Sequence, residues 1–243
     1  SRFVFSWNGD AEYSVIPNIG DPQMLFLANN ISKMKTGTTL GSRIVEVHNG
    51  SSLFSGNAGG GESNLRRYII ENDWLEAIVA LPENMFYNTG IGTYLWIVTN
   101  RKSEERKGYV QLIDATSLKS PIRKNLGHKN GEISSDIAAQ ILELYIDFKD
   151  ADEKYSRVFE NYEFGYWEVP ILRPLRDDNG NIIIEERGKN KGKPKVDKNL
   201  SDKEIVPFTY EGGINAFFET EIKPYVPDAW IDESNIKIGY EIS

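Results

Sequence analysis

Apolar residues first recur at helical spacing near the start of the chain, where Met24, Leu27, Ala28, Ile31 and Met34 share one face. Asp21 is placed to cap the free amides of that helix and Pro22 suits its first position; Lys33 and Lys35 complement the dipole and Gly37 ends it. The stretch Arg43–His48, "RIVEVH", reads as a strand. Residues 50–61 are rich in glycine and serine and predict a loop, after which Ser63 is positioned to cap a helix carrying Leu65, Tyr68 and Ile69 to about Asn72. Trp74–Leu81 and Thr93–Thr99 are apolar runs of strand length, Arg101–Lys107 is a charged turn, and Tyr109–Ile113 is a further strand.

Helices alternating with near-continuous apolar strands predict an α/β domain with a mainly parallel sheet. The connections at residues 82–92 and 100–108 are too short for crossover helices, so the later strands should join antiparallel, making the sheet mixed. Beyond Ala115 the pattern changes. Ser134 or Ser135 caps a helix with Ile137, Ile141, Leu144, Tyr145 and Phe148 on one face. Aromatics crowd "FENYEFGYWEV", and Asp178-Asn179-Gly180 marks a hairpin turn within residues 172–186. Residues 187–198, "RGKNKGKPKVDK", cannot bury themselves and predict a mobile loop. A last helix includes Ile214, Phe217, Phe218 and Ile222 and ends near Pro224. Two regions follow: residues 1–115, and a smaller α+β part over 116–243.

Composition narrows the chemistry. The 243 residues are 40% apolar and 26% charged, as in an ordinary globular protein. With no cysteine, disulfide scaffolds, thiolate zinc sites and cysteine nucleophiles are excluded, and with His48 and His128 as the two histidines a multi-histidine metal site is disfavoured. No apolar stretch approaches the ~18 residues of a membrane span, and no signal-peptide pattern opens the chain, which predicts a cytosolic protein. A net charge of −8 argues against a globally basic nucleic-acid surface but leaves room for a local basic groove. The chain begins with Ser1, as an excised piece of a longer protein would.

Candidate chemistry is sparse. "GNAGGGES" at 56–63 could cradle an anion at a helix start, yet lacks the lysine of a phosphate loop and the spacing of a dinucleotide fingerprint. His48 closes a strand and could be catalytic or structural; His128 lies in a polar loop. Glu46 and Asp114 are strand carboxylates that nothing in the sequence pairs, and Asp21 reads as a helix cap before a substrate ligand. Lys189, Lys191, Lys193 and Lys195 could touch DNA phosphates or simply be solvated, and Tyr162, Phe164, Tyr166 and Trp167 could stack on a ligand or pack. The segment "ALPENMFYNTGIGTYLWIVTN" is the most informative. Its turn between two apolar strands carries Met85, Phe86 and Tyr87 where solvent selects polar residues. Phe86 and Tyr87 either cap the sheet as core or face a cleft where a planar ligand stacks.

The stretch from "LFLANNISKMK" through "GSRIVEVHNGSSLFSGNAGGGESNLRRYIIENDWLEAIVALPENMFYNTGIGTYLWIVTNRK", continued by "RKGYVQLIDAT", "FGYWEVPILRPLR" and "NIKIGYEIS", resembles the modification (methyltransferase) subunit of type I restriction enzymes. The resemblance implies the distal half of a Rossmann-like S-adenosylmethionine-dependent methyltransferase sheet, and methyl transfer to the exocyclic amino group of adenine in double-stranded DNA, with the base flipped out of the stack. It also implies that Phe86 stacks on the flipped adenine, with Asn84, Tyr87, Asn88 and Thr89 lining the same rim. The intact subunit would use S-adenosylmethionine and assemble with specificity and restriction subunits, without a membrane. Two motifs of that family are absent from residues 1–243: the glycine-rich cofactor motif and the Asn-Pro-Pro-Tyr/Phe motif. "SRFVFSWNGD" would lie just downstream of the second. The chain is therefore expected to hold no catalytic, cofactor or metal ligands and to be inactive alone. The alternative is a non-catalytic DNA-binding or assembly module whose residues 116–243 dock on the specificity subunit. A separate small-molecule enzyme is disfavoured by the lack of a nucleophile, metal set or cofactor loop.

Two outcomes are expected. Isothermal titration of this chain with S-adenosylmethionine should give no binding heat, and micromolar affinity would reveal an unrecognised cofactor site. The first helices and strand should present apolar surface, so the chain should self-associate; light scattering showing a monomer at high concentration would contradict this.

Overall fold

The computed structural model describes residues 22–242, so the Asp21 cap and "SRFVFSWNGD" lie outside the described residues. Two compact units form: the first runs to Tyr162 and takes the chain back from Tyr240, and the second is Glu163–Gly239. The division falls well after the boundary at residue 115 expected from the sequence, because a helix over Ser135–Asp147 packs on the first sheet and a strand over Ser156–Glu160 pairs into it.

In the first unit, α1 is Gln23–Ile31, with Met24, Leu27, Ala28 and Ile31 buried at the predicted spacing. The elements that follow are β1 (Arg43–Asn49), α2 (Ser51–Phe54), α3 (Gly61–Glu71), β2 (Leu75–Leu81), β3 (Thr93–Thr99) and β4 (Tyr109–Asp114). The hairpin β5 (Ser120–Leu126) and β6 (Lys129–Glu132), helix α4 (Ser135–Asp147) and strand β7 (Ser156–Glu160) complete it. The five-stranded sheet has the order β1-β3-β2-β4-β7. Among the described residues of this sheet, only β2 and β4 pair in parallel; β1/β3, β3/β2 and β4/β7 are antiparallel. The mainly parallel expectation is thus corrected: β3 returns directly beside β2 through an eleven-residue turn, residues 82–92, and then offers its outer edge to β1. The α/β class and the mixed sheet hold.

Two local readings change and one is resolved. The glycine-rich segment 50–61 contains α2. Ser63 lies inside α3, whose N-cap is Gly60, and its Oγ accepts a hydrogen bond from the Tyr240 amide at 3.0 Å. Ser134 is the cap of α4, accepting from the Ile137 amide.

One face of the sheet packs Val79, Leu81, Ile113 and Ala115 against Leu144 of α4. Gln111 is buried with it and satisfied: it accepts from Arg106 at 3.0 Å and donates to the Leu144 carbonyl and the Ser156 hydroxyl, both at 2.8 Å. Asp73, in the left-handed region at φ 58°, closes the turn from α3 to β2. Its carboxylate receives Lys102 at 2.6 Å, Asn161 at 2.9 Å and the Gly108 amide at 3.0 Å. Burial lowers the Lys102 pKa, against the opposing pull of Asp73. Phe26, Val45, Val47 and Phe54 lie exposed on α1, β1 and α2.

Arg66 is 0% exposed and holds the returning chain. It donates to the carbonyls of Tyr240 (2.6 Å), Ser52 (3.0 Å) and Ser55 (2.6 Å). The Ile242 amide adds a bond to the Leu53 carbonyl at 2.9 Å.

The second unit is a four-stranded sheet built around β8 (Gly165–Leu172), which pairs with β9 (Asp202–Pro207), β10 (Trp230–Ile231) and β11 (Lys237–Tyr240). The predicted last helix is α5 (Gly213–Phe217) followed by a π turn over Phe218–Ile222. Val169, Ile171, Val206, Phe218, Ile222 and Ala229 form its core. The expected hairpin at 172–186 turns at Asp177–Gly180 but makes single bridges, not strands. The reason lies downstream: residues 187–198 are not loose but fold back on it. Leu175 N bonds Lys195 O (2.7 Å), Lys195 N bonds Ile183 O (2.8 Å) and Ile183 N bonds Leu175 O (2.9 Å), a closed ring that splits the ladder among three segments.

Replacing Arg66 by methionine leaves three carbonyls short of a buried donor, at roughly 1–3 kcal/mol each. Urea denaturation of Arg66→Met should show the first unit destabilised by about 3 kcal/mol or more; an unchanged midpoint would show that the guanidinium holds nothing in place.

Candidate nucleic-acid interface

Strand direction and register bring one set of loops together. Leu81 at the end of β2 pairs with Thr93 at the start of β3, Asn49 at the end of β1 pairs with the same Thr93, and Ala80 pairs with Asp114 at the end of β4. The carboxyl ends of β1, β2 and β4 therefore share one edge of the sheet, the edge at which open α/β sheets place ligands.

The 82–92 turn rises from this edge. Asn84 and Asn88 have φ of 62° and 58°, a region asparagine tolerates better than most residues. Phe86 and Thr89 form a bridge across the tip. A side chain at Gly90 would begin 3.0 Å from Asn84 Oδ1, so the turn is drawn tightly onto that amide. Between these pivots Phe86 is 41% exposed and Tyr87 63% exposed, so neither ring belongs to the core. Asn84 and Thr89 are half-buried and Asn88 is exposed on the same turn.

The β5–β6 hairpin lies along this turn and was missed in the sequence, because its strands are polar and lack the alternation that marks a half-buried strand. Gly127 at φ 63°, between two polar runs, is the one signal that could have found it. The Asn130 amide donates to the Asn84 carbonyl at 3.2 Å, and Lys119 Nζ donates to the Glu83 carbonyl at 3.3 Å. Lys129 Nζ sits 5.6 Å from the centre of the Tyr87 ring. A Cβ at Gly127 would come within 2.9 Å of Asn88 Oδ1, so the hairpin tip approaches the turn closely.

The remaining candidates lie elsewhere, some packed and some exposed. His48 is buried, 3.0 Å from Glu46 and with its ring centre 5.5 Å from that of Trp96, tilted by 32°. Glu46 also bonds Asn30. Asp114 caps the turn after β4, accepting from Thr116 N at 2.9 Å, and borders a cavity of about 490 Å³ with Tyr94, Tyr155 and Arg157. His128 is exposed at the hairpin tip. Phe164 and Tyr166 are buried and Trp167 packs on Phe208 at 4.3 Å, while Tyr162 is exposed. Lys189, Lys191, Lys193 and Lys195 are all exposed. Lys189 and Lys193 border a cavity of about 870 Å³ shared with Asp232 and Glu233, so part of their charge is locally opposed. The Asp232 carboxyl is held below the usual range by bonds from Ser234 and Asn235, with Lys193 adding to the effect. Among the described residues no cluster of His, Asp and Glu could hold a metal, and no helix is long and apolar enough to cross a membrane.

The glycine turn before α3 packs closely on its own chain. A Cβ on Gly56 would begin 2.9 Å from the Glu62 carboxylate, and one on Gly60 would begin 2.8 Å from the Asn57 carbonyl.

This sheet is of the kind seen in methyltransferase subunits of type I restriction-modification systems. The Streptococcus thermophilus subunit superposes on 64% of this chain and 31% of its own, with a TM-score of 0.51 at 21% identity. The N-6 DNA Methylase family profile matches residues 7–164, and the chain belongs to that family. It is 32% identical over 169 residues to the MjaVIII methylase subunit of Methanocaldococcus jannaschii, covering 69% of this chain and 25% of that protein. It is 23% identical over 247 residues to the MpnII methylase subunit of Mycoplasma pneumoniae, covering 98% of this chain and 40% of that protein. The chain thus spans between a quarter and two-fifths of the length of these two relatives.

Proposed function

We propose that this chain is the distal part of an adenine-specific DNA methyltransferase subunit of a type I restriction-modification system, and that its 82–92 turn receives the flipped base. The carrying observation is Phe86: a ring left 41% exposed at the carboxyl edge of the sheet, on a turn whose shape is set by Asn84 and Asn88. An exposed ring there gains only part of its apolar burial on folding and gains more when a base stacks on it, worth ~1–3 kcal/mol. Tyr87 borders the ring, and Asn84, Asn88 and Thr89 supply polar atoms around it. The membership of residues 7–164 in the N-6 DNA methylase family supports an adenine as the base.

The complete protein would take S-adenosylmethionine as methyl donor, bound by residues other than those described, and would work with duplex DNA and with specificity and restriction subunits. This chain alone would be inactive. Lys189, Lys191, Lys193 and Lys195 are retained as a secondary DNA-backbone contact.

In the complete subunit complex, Phe86→Ala should slow methyl transfer by roughly 5- to 150-fold, the equivalent of one lost stack. Affinity for S-adenosylmethionine should be unchanged, and Phe86→Trp should retain most activity. Unaltered turnover in Phe86→Ala would remove this ring from the site.

A further inference from the structure

The turn that carries Phe86 does not stand alone at its edge of the sheet. Residues 119–132 hold Lys119, Arg123, Lys124 and Lys129 against a single acid, Glu132 at the end of β6, within a chain of net charge −8. These cations divide by what they touch. Lys119 is spent on the Glu83 carbonyl and on Asn130 Oδ1 at 2.9 Å, and Lys129 faces the Tyr87 ring. Both brace the turn. Arg123 and Lys124 are exposed on β5, and among the described residues neither has an acidic partner. Leu126, also exposed, sits beside the Gly127 tip that closes on Asn88.

An acidic protein that keeps two cations free of ion pairs next to an exposed aromatic turn has a local excess of positive charge, opposite in sign to the chain as a whole. A strand of seven residues reaches roughly 20 Å, long enough to pass from a base at Phe86 to backbone beside it. The other basic stretch is a poorer match: Glu185, Glu186 and Asp197 flank it, and Lys193 lies beside Asp232.

Resting on the base-receiving role of the 82–92 turn, we propose that the β5–β6 hairpin is a DNA-backbone clamp. Arg123 and Lys124 bind phosphates of the duplex next to the extruded base, while Lys119 and Lys129 hold the aromatic turn against the hairpin. Phosphate contacts of this kind position the duplex and carry no sequence information.

The test uses the complete subunit complex and a fluorescein-labelled duplex of mixed sequence, with affinity read by anisotropy across a salt series. Each phosphate contact contributes about 0.9 to the slope of log K against log salt. The Arg123→Ala/Lys124→Ala variant should lose 1–2 from that slope and bind about tenfold more weakly near 0.1 M salt. Its thermal denaturation and its affinity for S-adenosylmethionine should match wild type, since both side chains are exposed, and Arg123→Lys should restore most of the slope. An unchanged slope and affinity in the double variant would overturn the clamp; if Phe86→Ala still slows turnover, the functional reading survives. A reduced slope together with a fully active Phe86→Ala would support the hairpin contact and sink the stacking role. No DNA binding and no methyl transfer by the wild-type complex would overturn both.

Discussion

Strand β2 dictates the arrangement of the first unit. Six of its seven residues are buried, so the amides and carbonyls on both of its edges need strand partners. β3 meets that need on one side, antiparallel and through a short turn; β4 meets it on the other, in parallel. Once those two pairings are set, the turn between β2 and β3 and the chain leaving β4 must emerge at the same end. The proximity of the aromatic turn and the β5–β6 hairpin follows from that geometry before any side chain between them is considered.

Polar interactions then fix the loose ends that the apolar core leaves. Asp73 gathers the α3–β2 turn, the approach to β4 and the chain after β7 on one carboxylate. Arg66 does the same for α2 and the returning Tyr240 using carbonyl acceptors. Such groups are costly to strand without partners, which makes them effective at specifying one arrangement over its neighbours.

Hydrophobic periodicity located the elements well because burial imposes it. The α1 face, β3 and α4 with its Ser134 cap are legible from the residues, and so is the turn at Asp178–Gly180. Topology was less legible. Apolar runs look alike whether a strand's neighbours run parallel or antiparallel, so the position of β1 outside β3 left no mark. The hairpin at 120–132 escaped for the opposite reason: its strands face solvent and carry no apolar alternation. Of the candidate site, the odd composition around Phe86 was visible, but exposure and core packing predict the same residues there, and only coordinates separate them. Ser63 shows a limit of a different kind. A serine near a helix start reads as a cap, yet its hydroxyl is engaged by an amide 177 residues further along the chain.

The left-handed pivots at Asn84 and Asn88 have a consequence for how this region can change over time. Because the bend is held by main-chain handedness and two small amides, the ring at position 86 has little architectural duty. Drift at that position is therefore less constrained by the fold than drift at 84 and 88, where the left-handed backbone favours asparagine or glycine.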